Sequence, residues 1–364
     1  MKTKGTVLQT TPKREAGGDS CITYLQCRHP DHSSPHSLPS FGGLHPPVAS
    51  VDWYEIGAVV KWDSDSLPAL EEARLQTQAS GKSVTLNLGQ LTLKVHRDGF
   101  GKGQESHMRY RISWGKVVIG IDARPSTTRQ LYNFYFRAPG KACVVLGLEA
   151  ILEFQHALIR ALGGRIDDAW IKRIDVCLDI QGRPVIEELL QKLHEGCYVT
   201  SSRKKKGQDN LIEFFETMFA IRSQDIRLSA YDKIEQMRAK RHGDDYLQAM
   251  IQNRWGGKLP KHATRIEFRF RKGWLFGLDM RTAEEVLSRL GDVVAHATSE
   301  GPYPFFRITE SVPDRKNGQQ ARAKTLPLWK WIIECLRAGF PATSEPLKRR
   351  KRSQQRRAPQ SDAL

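Results

Sequence analysis

Two segments of this chain read as β-strands with charged side chains at even separation: Arg173-Ile174-Asp175-Val176-Cys177-Leu178-Asp179-Ile180, and Arg265-Ile266-Glu267-Phe268-Arg269-Phe270, which alternates cleanly. Successive side chains on a β-strand point to opposite faces. Asp175 and Asp179 therefore share a face with Arg173, and Glu267 shares one with Arg265 and Arg269. A strand that is apolar on one side only is the habit of antiparallel sheets.

Shorter strand-like runs flank these two. They cover Val51 to Gly57, Val84 to Val95, Arg109 to Trp114, Lys116 to Asp122, Leu131 to Phe136, Ala142 to Leu146 and Ile226 to Asp232. Helical spacing marks Leu67 to Ser80, Leu148 to Leu162, Pro184 to about His194, Thr282 to about His296, and Leu328 to Leu336. Lys233 to Arg254 reads as one long basic helix or a pair. Strands with interspersed helices and hairpin-length gaps predict an α+β fold, with a largely antiparallel central sheet and flanking helices. Residues 1–48, rich in Ser, Pro, Gly and His, read as a flexible N-terminal arm. Residues 49–340 read as one functional domain and 341–364 as a disordered basic tail. The sequence shows no internal repeat.

The net charge is +17. The tail run Lys348-Arg349-Arg350-Lys351-Arg352, with Arg356 and Arg357, supplies seven of those charges. The remainder is still basic, so the folded part is expected to attract polyanions such as nucleic acid. The six cysteines are scattered and read as reduced thiols rather than a disulfide framework. No apolar run reads as a signal peptide or a membrane span, which places the chain in the cytoplasm of a bacterial host as an expectation.

Three segments could carry chemistry. On the Arg173–Asp179 strand, paired carboxylates suit Mg²⁺ or Mn²⁺, whereas a half-exposed strand would pair Asp175 with Arg173 or Lys172. On Arg265–Arg269, Glu267 either joins that acidic site or stands in a salt-bridged strand face. In Arg227-Leu228-Ser229-Ala230-Tyr231-Asp232-Lys233, Tyr231 sits where a strand gives way to a helix. A tyrosine that attacks phosphate must lose a proton held with a pKa near 10, and a nearby lysine or metal eases that loss. A ring in the core with its hydroxyl in water is the plainer account.

Those segments, in this order, resemble the Rep_trans-type replication initiation factors, a group of rolling-circle plasmid and filamentous-phage initiators. The matching patterns are Arg-apolar-Asp-x-x-x-Asp at Arg173 to Asp179, Arg-x-x-x-Tyr-Asp-Lys at Arg227 to Lys233, and Arg-apolar-Glu at Arg265 to Glu267. Val51 to Ile56 resembles the first strand of that family, and Tyr135 to Cys143 its strand–Gly–Cys turn. The resemblance covers roughly Val51 to Leu290. It implies a metal-dependent endonuclease and strand transferase that nicks one DNA strand at an origin. Tyr231 would form a 5′-phosphotyrosine link and leave a free 3′-hydroxyl. Arg227 and Lys233 would contact the phosphate, and Asp175, Asp179 and Glu267 would hold Mg²⁺ or Mn²⁺. Origin DNA (a hairpin or single strand), a host helicase and a second copy of the chain are the implied partners.

Further contacts to DNA are expected from the loop Arg203, Lys204, Lys205 and Lys206, from Arg238, Lys240 and Arg241, and from Lys348, Arg349 and Arg350. No His-apolar-His pair is present, so a metal would rest on carboxylates. Cys21, Cys27, His29 and His32 lack zinc-finger spacing. Gly99 to Gly103 reads as a hairpin turn, not a phosphate loop. Two rival readings share the fold. One is a DNA-binding regulator without nuclease activity; the other is an RNA-binding module stacking bases on Tyr132, Phe134 and Phe136.

Overall fold

The computed structural model describes residues 40–45, 47–63, 67–100, 108–124, 132–201, 212–223, 225–240, 244–300, 304–314, 320, 322–343 and 347. The expectations for Arg203 to Lys206, Arg241, Lys348 to Arg350 and most of the N-terminal arm lie outside the described residues.

The first half of the chain runs β1 (Ala49–Trp62), α1 (Pro68–Ser80), β2 (Val84–Leu88), β3 (Leu91–Val95), β4 (Tyr110–Trp114), β5 (Val117–Ile121), β6 (Phe134–Ala138) and α2 (Gly140–Ala161). The second runs β7 (Gly164–Gln181), α3 (Val185–His194), β8 (Tyr198–Val199), β9 (Ile212–Phe215), β10 (Met218–Arg222), β11 (Ile226–Asp232), α4 (Lys233–Ala239), α5 (Asp244–Arg254) and β12 (Ala263–Arg271). It ends with α6 (Lys272–Gly277), α7 (Ala283–Ser288), α8 (Leu290–Ala297), β13 (Arg307–Ile308) and α9 (Pro327–Gly339).

Eleven strands form one sheet in the order β2-β3-β4-β5-β6-β1-β7-β12-β11-β10-β9. Every neighbouring pair is antiparallel. Each half repeats one plan. A long first strand enters at the middle, a helix follows, and the later strands step back until the last pairs with the first. β6 returns to β1 and β12 returns to β7. The halves meet where β1 and β7 pair from Ala49↔Leu178 to Trp62↔Gly164. The repeat is one of topology, which is why the sequence does not reveal it.

The alternation places the core as expected. Ile174, Val176, Leu178 and Ile180 of β7, Ile266, Phe268 and Phe270 of β12, and Ile226, Leu228 and Ala230 of β11 are all buried. Helices α3, α6, α7 and α9 pack on these central strands. Burial of each large apolar side chain there contributes about 1.5–3 kcal/mol.

Several boundaries differ from the sequence expectations. Ala142 to Leu146 is the first turn and a half of α2, not a strand; an apolar run that short has no period to separate the two. Gly147, at φ 77°, kinks α2 just beyond it. The expected strand Leu131 to Phe136 is observed at Phe134 to Ala138. Lys233 to Arg254 is a pair of helices, one of the two forms expected, whereas Thr282 to His296 is divided at Arg289. α2 is long and apolar enough to cross a membrane, contrary to the sequence expectation, but half of that stretch is buried and it packs on β1, β6 and β7. Phe100 and Met108 exchange backbone hydrogen bonds in an antiparallel bridge, and Gly101 to Gly103 lie outside the described residues.

Candidate active site

The face opposite the apolar core carries the residues singled out above. The register sets Asp179 opposite Arg265, Cys177 opposite Glu267 and Asp175 opposite Arg269 across β7 and β12. One strand further, Tyr231 lies opposite Arg265 and Ser229 opposite Glu267. The adjacency that sequence could not supply is therefore real: β7, β12 and β11 are consecutive neighbours.

Arg265 is fully buried and donates through Nε and Nη2 to the two oxygens of Asp179, each at 2.6 Å. Its Nη1 donates to Asp52 at 2.9 Å. Burial alone would raise the Asp179 carboxyl, but the Arg265 guanidinium beside it holds it below its ordinary value. Asp52 reaches this point because β1 bulges between Val51 and Trp53, which leaves Asp52 without a register partner. Gly140, at the start of α2, lies so close that a Cβ there would stand 3.0 Å from the Asp52 carbonyl and carboxylate oxygens. This accounts for the Gly in the strand–Gly–Cys turn. Arg254 is buried alongside and donates to the Val51 carbonyl at 3.0 Å.

Asp175 is buried between two arginines. Arg173 forks onto it, and Arg269 Nε donates to it at 3.3 Å. Arg269 also reaches Glu267 at 3.4 Å and so bridges the two carboxylates. The Tyr231 hydroxyl donates to Glu267 Oε2 at 3.1 Å. Burial first, then the charges of Asp175 and Asp52, raises Glu267 to about 6. Burial, and then Glu267, pushes the Tyr231 hydroxyl well above its ordinary value, so the resting phenol is neutral.

Lys233 stands behind this pair. Asp232 caps α4 by accepting from the Glu235 amide, and the helix start carries Lys233 inward. Its ammonium lies 5.9 Å from the Tyr231 ring centroid and 5.6 Å from that of Tyr246, and donates to Gln236 at 2.8 Å. Burial, and then Arg265, lowers it to about 8. Lys233 thus faces the Tyr231 ring, not its hydroxyl. Arg227 sits further along β11, half-buried opposite Arg269.

The three carboxylates expected to share a metal are not equivalent. Among the described residues no cluster of three or more acidic, His or Cys side chains is placed to hold one. Asp179, which the resemblance implied as a metal ligand, has both oxygens on Arg265 in a buried ion pair. Asp175 and Glu267 remain adjacent, with the Arg269 guanidinium where a cation between them would sit. Their oxygen donors suit Mg²⁺ or Mn²⁺ once that arginine moves. The Asp175–Arg173 pairing weighed from sequence is also present. Arg238 and Lys240 are exposed at the end of α4, and Arg238 pairs with Glu235. Phe134 and Phe136 are buried in the core, so the three-aromatic face of the RNA-binding reading does not exist. Sequence reasoning missed Asp52 and Arg254. Asp52 shares its strand with Glu55 and is aimed by a bulge, so neither it nor Arg254 left a local signal.

These features define an α+β protein with a tyrosine–glutamate pair set among arginines on one sheet face. The Phage_CRI family model, which describes the N-terminal part of a replication-associated protein, matches residues 19–289, and the chain belongs to that family. The expectation of a replication-protein family is met, and the match extends into the N-terminal arm. Among solved structures, the rolling circle replication initiator protein from Geobacillus stearothermophilus aligns at 13% identity and a TM-score of 0.45, covering 81% of this chain and 97% of that one. No curated protein sequence gives a significant match.

Proposed function

We propose that this replication-associated protein initiates rolling-circle replication by nicking one DNA strand with Tyr231. The observation that carries the proposal is the Tyr231–Glu267 hydrogen bond on a face lined with arginines. A buried phenol needs a base at contact distance before it can attack. Glu267, at about 6, is ionised at neutral pH and accepts from that phenol.

In the proposed step the Tyr231 oxygen bonds to phosphorus as its proton passes to Glu267. The phosphorus–O3′ bond breaks, and the leaving oxygen takes a proton from solvent. The products are a 5′-phosphotyrosine and a free 3′-hydroxyl. Arg227, Arg173 and Arg269 are the cations on that face that can meet phosphate oxygens. Lys233 keeps positive charge beneath the ring. Mg²⁺ or Mn²⁺ held by Asp175 and Glu267 would supply further positive charge toward the phosphate.

Further proposals from the same reading are an origin hairpin or single strand as substrate, a host helicase and a second copy of the chain as partners, and a bacterial cytoplasm as location. The test incubates purified protein with Mg²⁺ or Mn²⁺ and end-labelled single-stranded DNA from the genetic neighbourhood, then runs a denaturing gel. A covalent adduct mapping to Tyr231, lost in Tyr231→Phe with DNA binding retained, is expected. Tight binding without an adduct on any strand would leave the non-catalytic regulator.

A further inference from the structure

The Tyr231 face continues past the carboxylates as a strip in which rings and cations alternate. Nearest the site, the Arg173 guanidinium lies 3.9 Å from the Trp53 ring centroid. Arg137 of β6 approaches both Trp53 and Phe100 at 6.0 Å. Phe100 stacks on Tyr135 with centroids 4.4 Å apart. Lys172 lies over Tyr132 at 4.5 Å and over Tyr135 at 4.9 Å, and donates to the Tyr132 hydroxyl at 2.6 Å. Tyr132 meets Trp170 edge-on, and Lys272 covers the Trp170 ring at 4.3 Å.

Two physical points identify what fits. First, Lys172 and Lys272 converge on one aromatic pair. Burial, and then the charge of Lys172, lowers the Lys272 ammonium, and Asp168, which opposes that shift, is exposed. Two facing cations are eased by an anion such as a phosphate placed between them. Second, Trp53, Phe100 and Tyr132 are only half-buried, so none of these three rings is sealed in the core. Bases locked in a duplex cannot stack on protein rings, whereas unpaired bases can. Glu55 is the acid in the strip, and it is taken up by the Trp53 indole at 3.1 Å.

We propose that this ring-and-cation strip, across β7, β1 and β6, is a track for single-stranded DNA leading away from Tyr231. It rests on the nicking reading above. Trp170 to Asp175 is five residue steps along β7, about 17 Å at the usual strand rise. That length takes at most about five nucleotides at 3.4 Å per phosphate. The arginines at the inner end hold phosphate beside the tyrosine, and the lysines at the outer end hold the strand's next phosphates.

The experiment uses the full chain carrying Tyr231→Phe, so that binding is read without cleavage. A mixed-sequence single strand bearing 5-iododeoxyuridine is crosslinked by ultraviolet light, and the modified peptides are mapped. Crosslinks on Trp53, Phe100 or Tyr132 are expected. Crosslinks confined to other parts of the chain would overturn the proposal. In parallel, Lys172→Ala with Lys272→Ala is titrated by fluorescence anisotropy against that strand. The expected result is at least a tenfold weaker Kd at 0.1 M salt and a salt slope lower by about 1.4, from two lost single-strand phosphate contacts. An unchanged slope, or an equal loss on blunt duplex of the same length, would overturn it. Lys330→Ala, on the exposed side of α9, serves as the control expected to bind normally. An adduct on Tyr231 with no strip crosslinks would sink the track alone. Strip crosslinks with no adduct in the parent protein would leave the track and sink the nicking reading.

Discussion

Replacing Asp179 with asparagine separates two roles that its place beside Glu267 could suggest. In the structure Asp179 neutralises Arg265, whose side chain has no exposure, through two 2.6 Å contacts. Asparagine keeps the shape, offers one acceptor in place of two, and removes the charge. Asp52 stays on Arg265 at 2.9 Å, so the guanidinium loses one of its two carboxylate partners. Removing one partner of a buried ion pair costs about 3–5 kcal/mol because an uncompensated charge remains. Remaining compensation from Asp52 sets the expected loss at the low end, about 3 kcal/mol, a sizeable part of the 5–15 kcal/mol typical of a domain. The assay is equilibrium urea unfolding of both proteins at pH 7. The wild-type contribution also has a pH signature. A carboxyl held below its ordinary value stabilises the fold above that ordinary value, near 4, and loses this as pH falls through the lower folded value. The difference between the two proteins is therefore expected to shrink below about pH 4. A loss under about 1 kcal/mol, with a changed Mn²⁺ requirement for nicking, would refute the structural role and restore Asp179 as a ligand.

Three more outcomes follow from the geometry. Wild-type nicking should rise through pH about 6 as Glu267 ionises and becomes able to take the Tyr231 proton; Glu267→Gln should be slower by about 10²–10⁴-fold and flat across that range, and an unshifted profile in the variant would remove Glu267 as the base. Gly140→Ala should lower the melting temperature, because its Cβ meets Asp52 at 3.0 Å and forcing that contact costs about 1–3 kcal/mol; an unchanged melting curve would show that α2 yields freely. Arg269→Ala should tighten Mn²⁺ binding by calorimetry, since it frees Asp175 and Glu267 from a competing cation; weaker or equal binding would place the metal elsewhere.

Much of the site was legible because β7, β11 and β12 each keep one face apolar and one largely polar. Period-two alternation then places Asp175, Glu267 and Tyr231 on the polar side with no knowledge of neighbours. Which strands are adjacent depends on long-range pairing, and nothing local in Arg173 to Asp179 or Arg265 to Glu267 encodes it. The fate of Asp179 depended on that register, since only pairing β7 with β12 sets it opposite Arg265. Asp52 was hidden for another reason: it is aimed by a bulge, and a bulge breaks the very alternation used to read strands. Ala142 to Leu146 misled because five apolar residues satisfy helix and strand alike.

The repeated plan of the two halves has a further consequence. β5 occupies in the first half the place that β11 holds in the second, yet it reads Val117-Val118-Ile119-Gly120-Ile121 and carries no phenol. The architecture is doubled and the reagent is not. Under the proposed chemistry each molecule is single-use between release events: once Tyr231 holds a DNA end, the equivalent strand of its twin half offers no phenol to take a second. Joining two ends therefore becomes a matter of stoichiometry, settled between molecules or in sequential turns of one.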